Sequence, residues 1–146
     1  MIPDVAVLDA PLDVLAIRAL VSDPAAGAIV VFEGTARNHH QSLAVESLAY
    51  EAFIPMAEAE LRRLRVDAMD RFTLCRCAMH HRIGLVPVLE AAVVIAVSSA
   101  HRKEAFEAAA WLMDRIKESV PIWKREKYQQ GDDVWVEGQQ RHPWGS

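Results

Sequence analysis

Val5 to Leu8 is a short apolar run, and from Pro11 to Val21 the apolar residues Leu12, Leu15, Ile17 and Leu20 recur near the spacing of a helix. The pattern predicts a strand followed by a helix. Ser22-Asp23-Pro24 and Gly27 interrupt it, and Ala28 to Phe32 is a continuous, partly β-branched apolar stretch suited to a buried strand. Beyond it lies the polar, basic segment Gly34-Thr35-Ala36-Arg37-Asn38-His39-His40. Ala44 to Ala52 can return as the second strand of a hairpin. Pro55 suits a first helical turn, where its missing N–H has no partner to lose, and opens a helix running to about Arg71.

Leu74 to His81 predicts another strand, Arg82-Ile83-Gly84 a bend, and Leu89 to Ser98 the most strongly β-branched strand of the chain. A helix from Ala100 to about Ser119 follows, stopped by Pro121, which cannot continue the ladder and restricts the residue before it. Ile122 to Val136 reads as extended with a turn at Gly131-Asp132, and Gln139 to Ser146 carries no structural signal. Hairpin-length links alternate with helical ones, which predicts an α+β fold with a mixed, mainly antiparallel sheet and packed helices. Nothing resembling a linker or repeat divides residues 1–146, so the expectation is one domain.

Composition narrows the function classes. With 52% hydrophobic and 25% charged residues the chain has an ordinary globular profile. No apolar run approaches bilayer length and Met1-Ile2-Pro3-Asp4 lacks the basic start of a secretory signal, so a cytoplasmic location is expected. The net charge of -4 offers nucleic acid no general attraction, so any anionic ligand must be held locally. Cys75 and Cys77, one residue apart, fit neither a zinc knuckle nor a redox pair and read as small buried residues. The histidines at 39, 40, 80, 81, 101 and 142 lack metal-ligand spacing, so no metal is expected. A Gly-rich phosphate loop and a G-x-S-x-G elbow are both missing from the sequence.

Three segments could carry chemistry. Ser98-Ser99-Ala100-His101-Arg102 joins a predicted buried strand to a helix start, where free backbone N–H groups and the helix dipole favour a serine cap and an anion. His101, Arg102 and Lys103 stand at the unfavourable end of that dipole, a cost of about a few tenths of a kcal/mol per charge unless something negative compensates. A phosphate would do so, and so would Glu104 and Glu107. Along the same helix, Phe106, Ala109, Met113 and Ile116 form an apolar stripe with Lys117 on its flank. Its stem can cover apolar surface while the ammonium reaches water, or the amine can be partly desolvated and serve as nucleophile or acid/base. In Pro121-Ile122-Trp123-Lys124-Arg125-Glu126-Lys127, an extended chain sends Ile122, Lys124 and Glu126 one way and Trp123, Arg125 and Lys127 the other. Read alone, this is an edge strand protected by charge.

Taken in order, Gly27-Ala28-Ile29-Val30-Val31-Phe32-Glu33-Gly34-Thr35-Ala36-Arg37-Asn38-His39, Leu48-Ala49-Tyr50-Glu51-Ala52, His81-Arg82-Ile83-Gly84, Val97-Ser98-Ser99-Ala100-His101-Arg102, Ala105-Phe106, Met113-Asp114, Lys117, Pro121-Ile122-Trp123-Lys124-Arg125-Glu126 and Trp135-Val136-Glu137 closely resemble the molybdopterin synthase large-subunit (MoaE) family. The resemblance spans about residues 5 to 138. It implies an α/β-hammerhead fold and a homodimer within a heterotetramer. The other component is a small ubiquitin-like sulfur carrier whose C-terminal Gly-Gly thiocarboxylate enters a pocket of the large subunit. The implied reaction is that of a sulfurtransferase without a cofactor, delivering sulfur to cyclic pyranopterin monophosphate to form the dithiolene of molybdopterin. By the same resemblance, Lys117 and Lys124 are the catalytic positions and Arg37, His101 and Arg102 bind substrate, with Phe32 and Met113 as pocket walls. Relatives can carry an arginine soon after the Trp-Val-Glu piece that reaches the neighbouring subunit, whereas here Gly138-Gln139-Gln140 follows and the next arginine is Arg141. Two other classes compete. A non-catalytic dimeric scaffold gripping an extended tail at a sheet edge would need Trp123 but not both lysines. A phosphate-ester enzyme using His101 as acid/base would need a metal or a second catalytic residue.

Overall fold

The computed structural model describes residues 2–40, 43–128 and 133–136. In chain order the elements are β1 (Val5–Leu8), α1 (Val14–Ala19), β2 (Ala28–Thr35), β3 (His39–His40), β4 (Leu43–Ala52), α2 (Ile54–Arg71), β5 (Arg76–Arg82), β6 (Gly84–Val86), β7 (Ala91–Ser99), α3 (Arg102–Ser119), β8 (Ile122–Tyr128) and β9 (Asp133–Val136). They form two sheets, and the class is α+β as the pattern predicts.

The first sheet has the order β1-β5-β7-β2, with β1 parallel to β5 and the remaining pairs antiparallel. Val93, Ile95 and Val97 of β7 enter the larger core, while Val94 and Ala96 enter a smaller one with Ile17 and Val21. Because both faces of β7 are covered, the strand reads as unbroken apolar sequence rather than as alternation. α1 is shorter than the expected Pro11 to Val21: Asp13 caps it by accepting from the Ala16 N–H at 3.1 Å, and Leu15 is 80% exposed. α2 follows Phe53, with Pro55 in its first turn.

The second sheet runs β3-β4-β8-β9, with β6 also paired to β4. The expected hairpin between Ala28–Phe32 and Ala44–Ala52 does not form. Instead Phe32 stands opposite Ile95 on β7, and Tyr50 opposite Lys124 on β8. The reason is burial on two sides. Val30 and Phe32 pack against the larger core and Ile29 and Val31 against the smaller, so β2 needs a sheet covered on both faces. Around Tyr50, β4 alternates instead, with Leu48 and Tyr50 buried and Glu51 exposed, which suits a sheet with one solvated face. The expected bend at Arg82-Ile83-Gly84 is real but leads straight into β6. Gly84 makes the turn at φ +80°, where a Cβ would also collide with the Asp9 carboxylate.

α3 packs on β7 and β2 through Ala105, Ala108, Ala109, Leu112, Met113 and Ile116. Phe106, expected on the apolar stripe, is 61% exposed. The buried face is centred on the alanines, whose small side chains let the helix lie close to the sheet.

Candidate functional site

β8 alternates as the strand parity requires: Ile122, Lys124 and Glu126 are buried, and Trp123, Arg125 and Lys127 are exposed. Lys124 has no exposed surface, and its Nζ lies 3.1 Å from Oε1 of the equally buried Glu126. Burial lowers the Lys124 pKa, the Glu126 carboxylate opposes that, and the positive charges of Arg37 and Lys117 lower it further, leaving it at about 8. Among the described lysines the one removed from water is therefore Lys124. Lys117, near the end of α3, is only half-buried.

Arg37 reaches this locality from the connection after β2. The neighbouring Ala36 is buried and clamped by two backbone hydrogen bonds, its N–H to the Glu90 carbonyl and its carbonyl from the Leu89 N–H, each 3.0 Å. That clamp fixes the backbone beside Arg37 while the guanidinium stays exposed. The charges of Arg37, from this connection, and Lys117, from α3, thus both act on Lys124, which is itself paired with Glu126. Met113 belongs to the larger core and Phe32 packs against it; Met113 is 7% exposed, so within one protomer it offers almost no free wall.

His101 and Arg102 lie elsewhere. His101 is the cap residue of α3, with extended backbone and no side-chain capping bond. The expected serine cap is not made, because the Ser99 hydroxyl donates instead to the His101 carbonyl at 2.5 Å. The start of the helix is held by Gly27, whose N–H bonds the Ser99 carbonyl at 3.0 Å and whose position would drive any Cβ into the Ala100 carbonyl. His101, Arg102 and Lys103 all face solvent. Fifteen residues separate Arg102 from Lys117 on one helix, which at a rise of 1.5 Å per residue is about 22 Å. One protomer therefore does not gather the sequence-predicted residues into a single pocket: it presents a lysine–arginine site and, at the other end of α3, a basic helix start.

Arg141 and the turn at Gly131-Asp132 lie outside the described residues. Among the described residues there is no group of three or more His, Cys, Asp or Glu side chains arranged to hold a metal ion, and no helix long and apolar enough to cross a membrane. Cys77 is buried, which pushes its thiol up to about 12, and Cys75 is half-buried. Sequence reasoning gave no role to Tyr50 and His81, both buried with their rings 5.3 Å apart beside the lysine site. The signal available was parity, since Tyr50 shares the inward face of β4 with Leu48.

Comparison with known proteins bears on this arrangement. The family model described as MoaE protein matches residues 7–119, a stretch that contains Phe32, Arg37, His101, Arg102, Met113 and Lys117 but ends before Lys124. The molybdopterin synthase catalytic subunit of Bos taurus is 47% identical over 116 residues, covering 80% of this chain and 61% of the bovine protein. That of Pyrococcus abyssi is 44% identical over 125 residues, covering 86% of this chain and 84% of the archaeal protein. The chain therefore spans less than two thirds of the bovine relative and most of the archaeal one. The crystal structure of molybdopterin synthase from Staphylococcus aureus superposes with a TM-score of 0.88 at 35% identity, covering 93% of this chain and 98% of that one.

Proposed function

The chain belongs to the MoaE protein family, and on that premise we propose that it is the catalytic subunit of a molybdopterin synthase. It is a sulfurtransferase that takes sulfur from the C-terminal Gly-Gly thiocarboxylate of a small carrier and delivers it to cyclic pyranopterin monophosphate. The observation that carries this reading is the buried Lys124–Glu126 pair with Arg37 and Lys117 around it. Both reactants are anionic, and a desolvated cation stabilises developing negative charge far more than a hydrated one. With a pKa of about 8, Lys124 is also close enough to neutrality to give and take a proton. A scaffold that only grips a peptide tail has no use for a lysine whose burial costs several kcal/mol before pairing, on the order of the penalty for any desolvated ion.

The carrier and the dimer belong to the same proposal. Relatives named as catalytic subunits imply a companion subunit, which here is the ubiquitin-like carrier. A homodimer within a cytoplasmic heterotetramer accounts for the two separated basic sites. Among the described residues β2 is an edge strand, and Ala28, at its start, stands opposite Ser99 while Arg37 lies two residues past its end. Antiparallel pairing of β2 with the β2 of a second copy would set the start of one strand beside the end of the other, carrying His101 and Arg102 of the second copy toward Arg37. Substrate phosphate would then lie between protomers, with the lysines on one side.

The test is direct. Purified protein, a thiocarboxylated carrier and cyclic pyranopterin monophosphate should yield a dithiolene pterin visible by mass spectrometry. No product, with a carrier shown to be active on another synthase, rejects the proposal.

A further inference from the structure

Next to the Lys124–Glu126 pair lies a group of buried polar side chains that the reaction as proposed does not use. Tyr50 is opposite Lys124 in the β4–β8 register and is 1% exposed. Burial, reinforced by the Glu126 charge, holds its phenol well above the usual acidity range, so it stays neutral. His81 meets the Tyr50 ring edge-on at 5.3 Å and 73°, and its Nδ1 donates to the Arg82 carbonyl at 2.8 Å. Burial pushes the imidazole down to about 4, so it too is uncharged near neutral pH.

The groups around the Lys124 amine divide cleanly by sign. Arg37, from the connection after β2, and Lys117, from α3, repel its proton, and burial acts in the same direction. Tyr50, opposite on β4, is neutral. Glu126, on the same face of β8, acts the other way.

We infer that Glu126 is a positioning residue for sulfur transfer: its carboxylate, 3.1 Å from the Lys124 amine and equally buried, holds that lysine in place as a buried cation. The inference rests on the functional reading above and adds to it a requirement on the charge of one amine.

The experiment uses full-length Glu126→Gln, close to wild type in shape, with two separate readouts. In the first, lysine-selective NMR follows the Lys124 Cε–Hε signal against pH, assigned with Lys124→Arg, without carrier or substrate. Wild type should titrate near 8 and the variant at least one pH unit lower. In the second, single-turnover sulfur transfer with saturating carrier is measured from pH 6 to 9. The variant should lose at least tenfold at pH 7.5 and regain part of that loss on acidification, its alkaline limb displaced in step with the NMR titration. An unmoved Lys124 titration overturns the inference, and so does a displaced titration with an unchanged rate profile. Wild-type protein that makes no product rejects the functional reading instead, which the NMR arm distinguishes because it involves no reaction. Should Glu126→Gln not fold, Glu126→Asp, which keeps the charge and withdraws it by one methylene, should give an intermediate displacement in both readouts; none in either overturns the inference.

Discussion

Tyr50 and Lys124 stand directly opposite each other on the antiparallel β4–β8 pair, both side chains buried on the same face of the second sheet. Opposed residues of an antiparallel pair are near neighbours, so a phenol and an amine share one desolvated space in which Glu126 supplies the negative charge. That relation ranks the two lysines differently from their sequence context. The helical lysine sits beside an apolar stripe, but the strand lysine is the one removed from water.

The two lysines should accordingly fail in different ways. Lys124→Met should abolish sulfur transfer in a single turnover and also destabilise the fold by a few kcal/mol, about the cost of taking one partner from a buried ion pair, because Glu126 loses the lysine charge beside it. Adding Glu126→Gln should recover much of the lost stability and none of the activity. Lys117→Arg should melt like wild type, its half-exposed side chain leaving no buried charge behind, yet turn over poorly if a neutral amine is needed, since a guanidinium stays protonated. Thermal melts and single-turnover rates separate these outcomes, and near-normal transfer by Lys117→Arg would leave that residue only a charge-stabilising role.

The proposed sharing of the site between protomers makes a complementation prediction. Arg102→Ala and Lys117→Ala proteins should each be nearly inactive alone, with the arginine variant showing a raised substrate KM. After unfolding and refolding together, half of the dimers should be mixed, and each mixed dimer should carry one site with an intact Lys117 from one chain and an intact Arg102 from the other. Recovered activity of about a quarter of wild type is expected for random pairing of two-fold dimers. Failure to recover any activity, with mixed dimers demonstrated by mass, would place both residues of each site in one chain, against the separation of about 22 Å along α3.

His81 should impose an acid limit on stability. Its folded-state pKa is lowered to about 4 from 6.5, so between those values the unfolded chain binds the extra proton. Stability contributed by the neutral imidazole is full above pH 6.5, falls as pH drops through that window, and amounts to about 3 kcal/mol in all. His81→Asn keeps a donor for the Arg82 carbonyl at the place of Nδ1 but cannot titrate. Its Tm should therefore decline less than that of wild type between pH 6.5 and 4, and parallel declines would remove His81 from the account.

Much of this protein is settled by its sequence. The β-branched run ending at Ser98 reads as a buried strand, Pro121 ends a helix, and two-residue parity alone put Lys124 and Glu126 on the same face of an extended segment as Ile122, although the charges there suggested an edge strand and β8 is paired on both sides. These features are local, because strand parity, β-branching and the chemistry of proline act within a few residues. Tertiary structure decided what local rules cannot reach. Whether Ala28–Phe32 pairs with Ala44–Ala52 or with β7 depends on which strand has two faces to cover, a property of the assembled layers. The same holds for which side of α3 is buried, where close approach to the sheet selected the alanine face and turned Phe106 outward. The charge state of Lys124 is set by burial that only the closed fold creates, by the neighbouring Glu126, and by Arg37 and Lys117, which are distant in sequence. The distance between Arg102 and Lys117 was computable from sequence as soon as the helix was recognised. Only the fold set the two ends of α3 in different surroundings, one at an exposed helix start and the other beside the buried lysine, because those surroundings are made by strands distant in sequence.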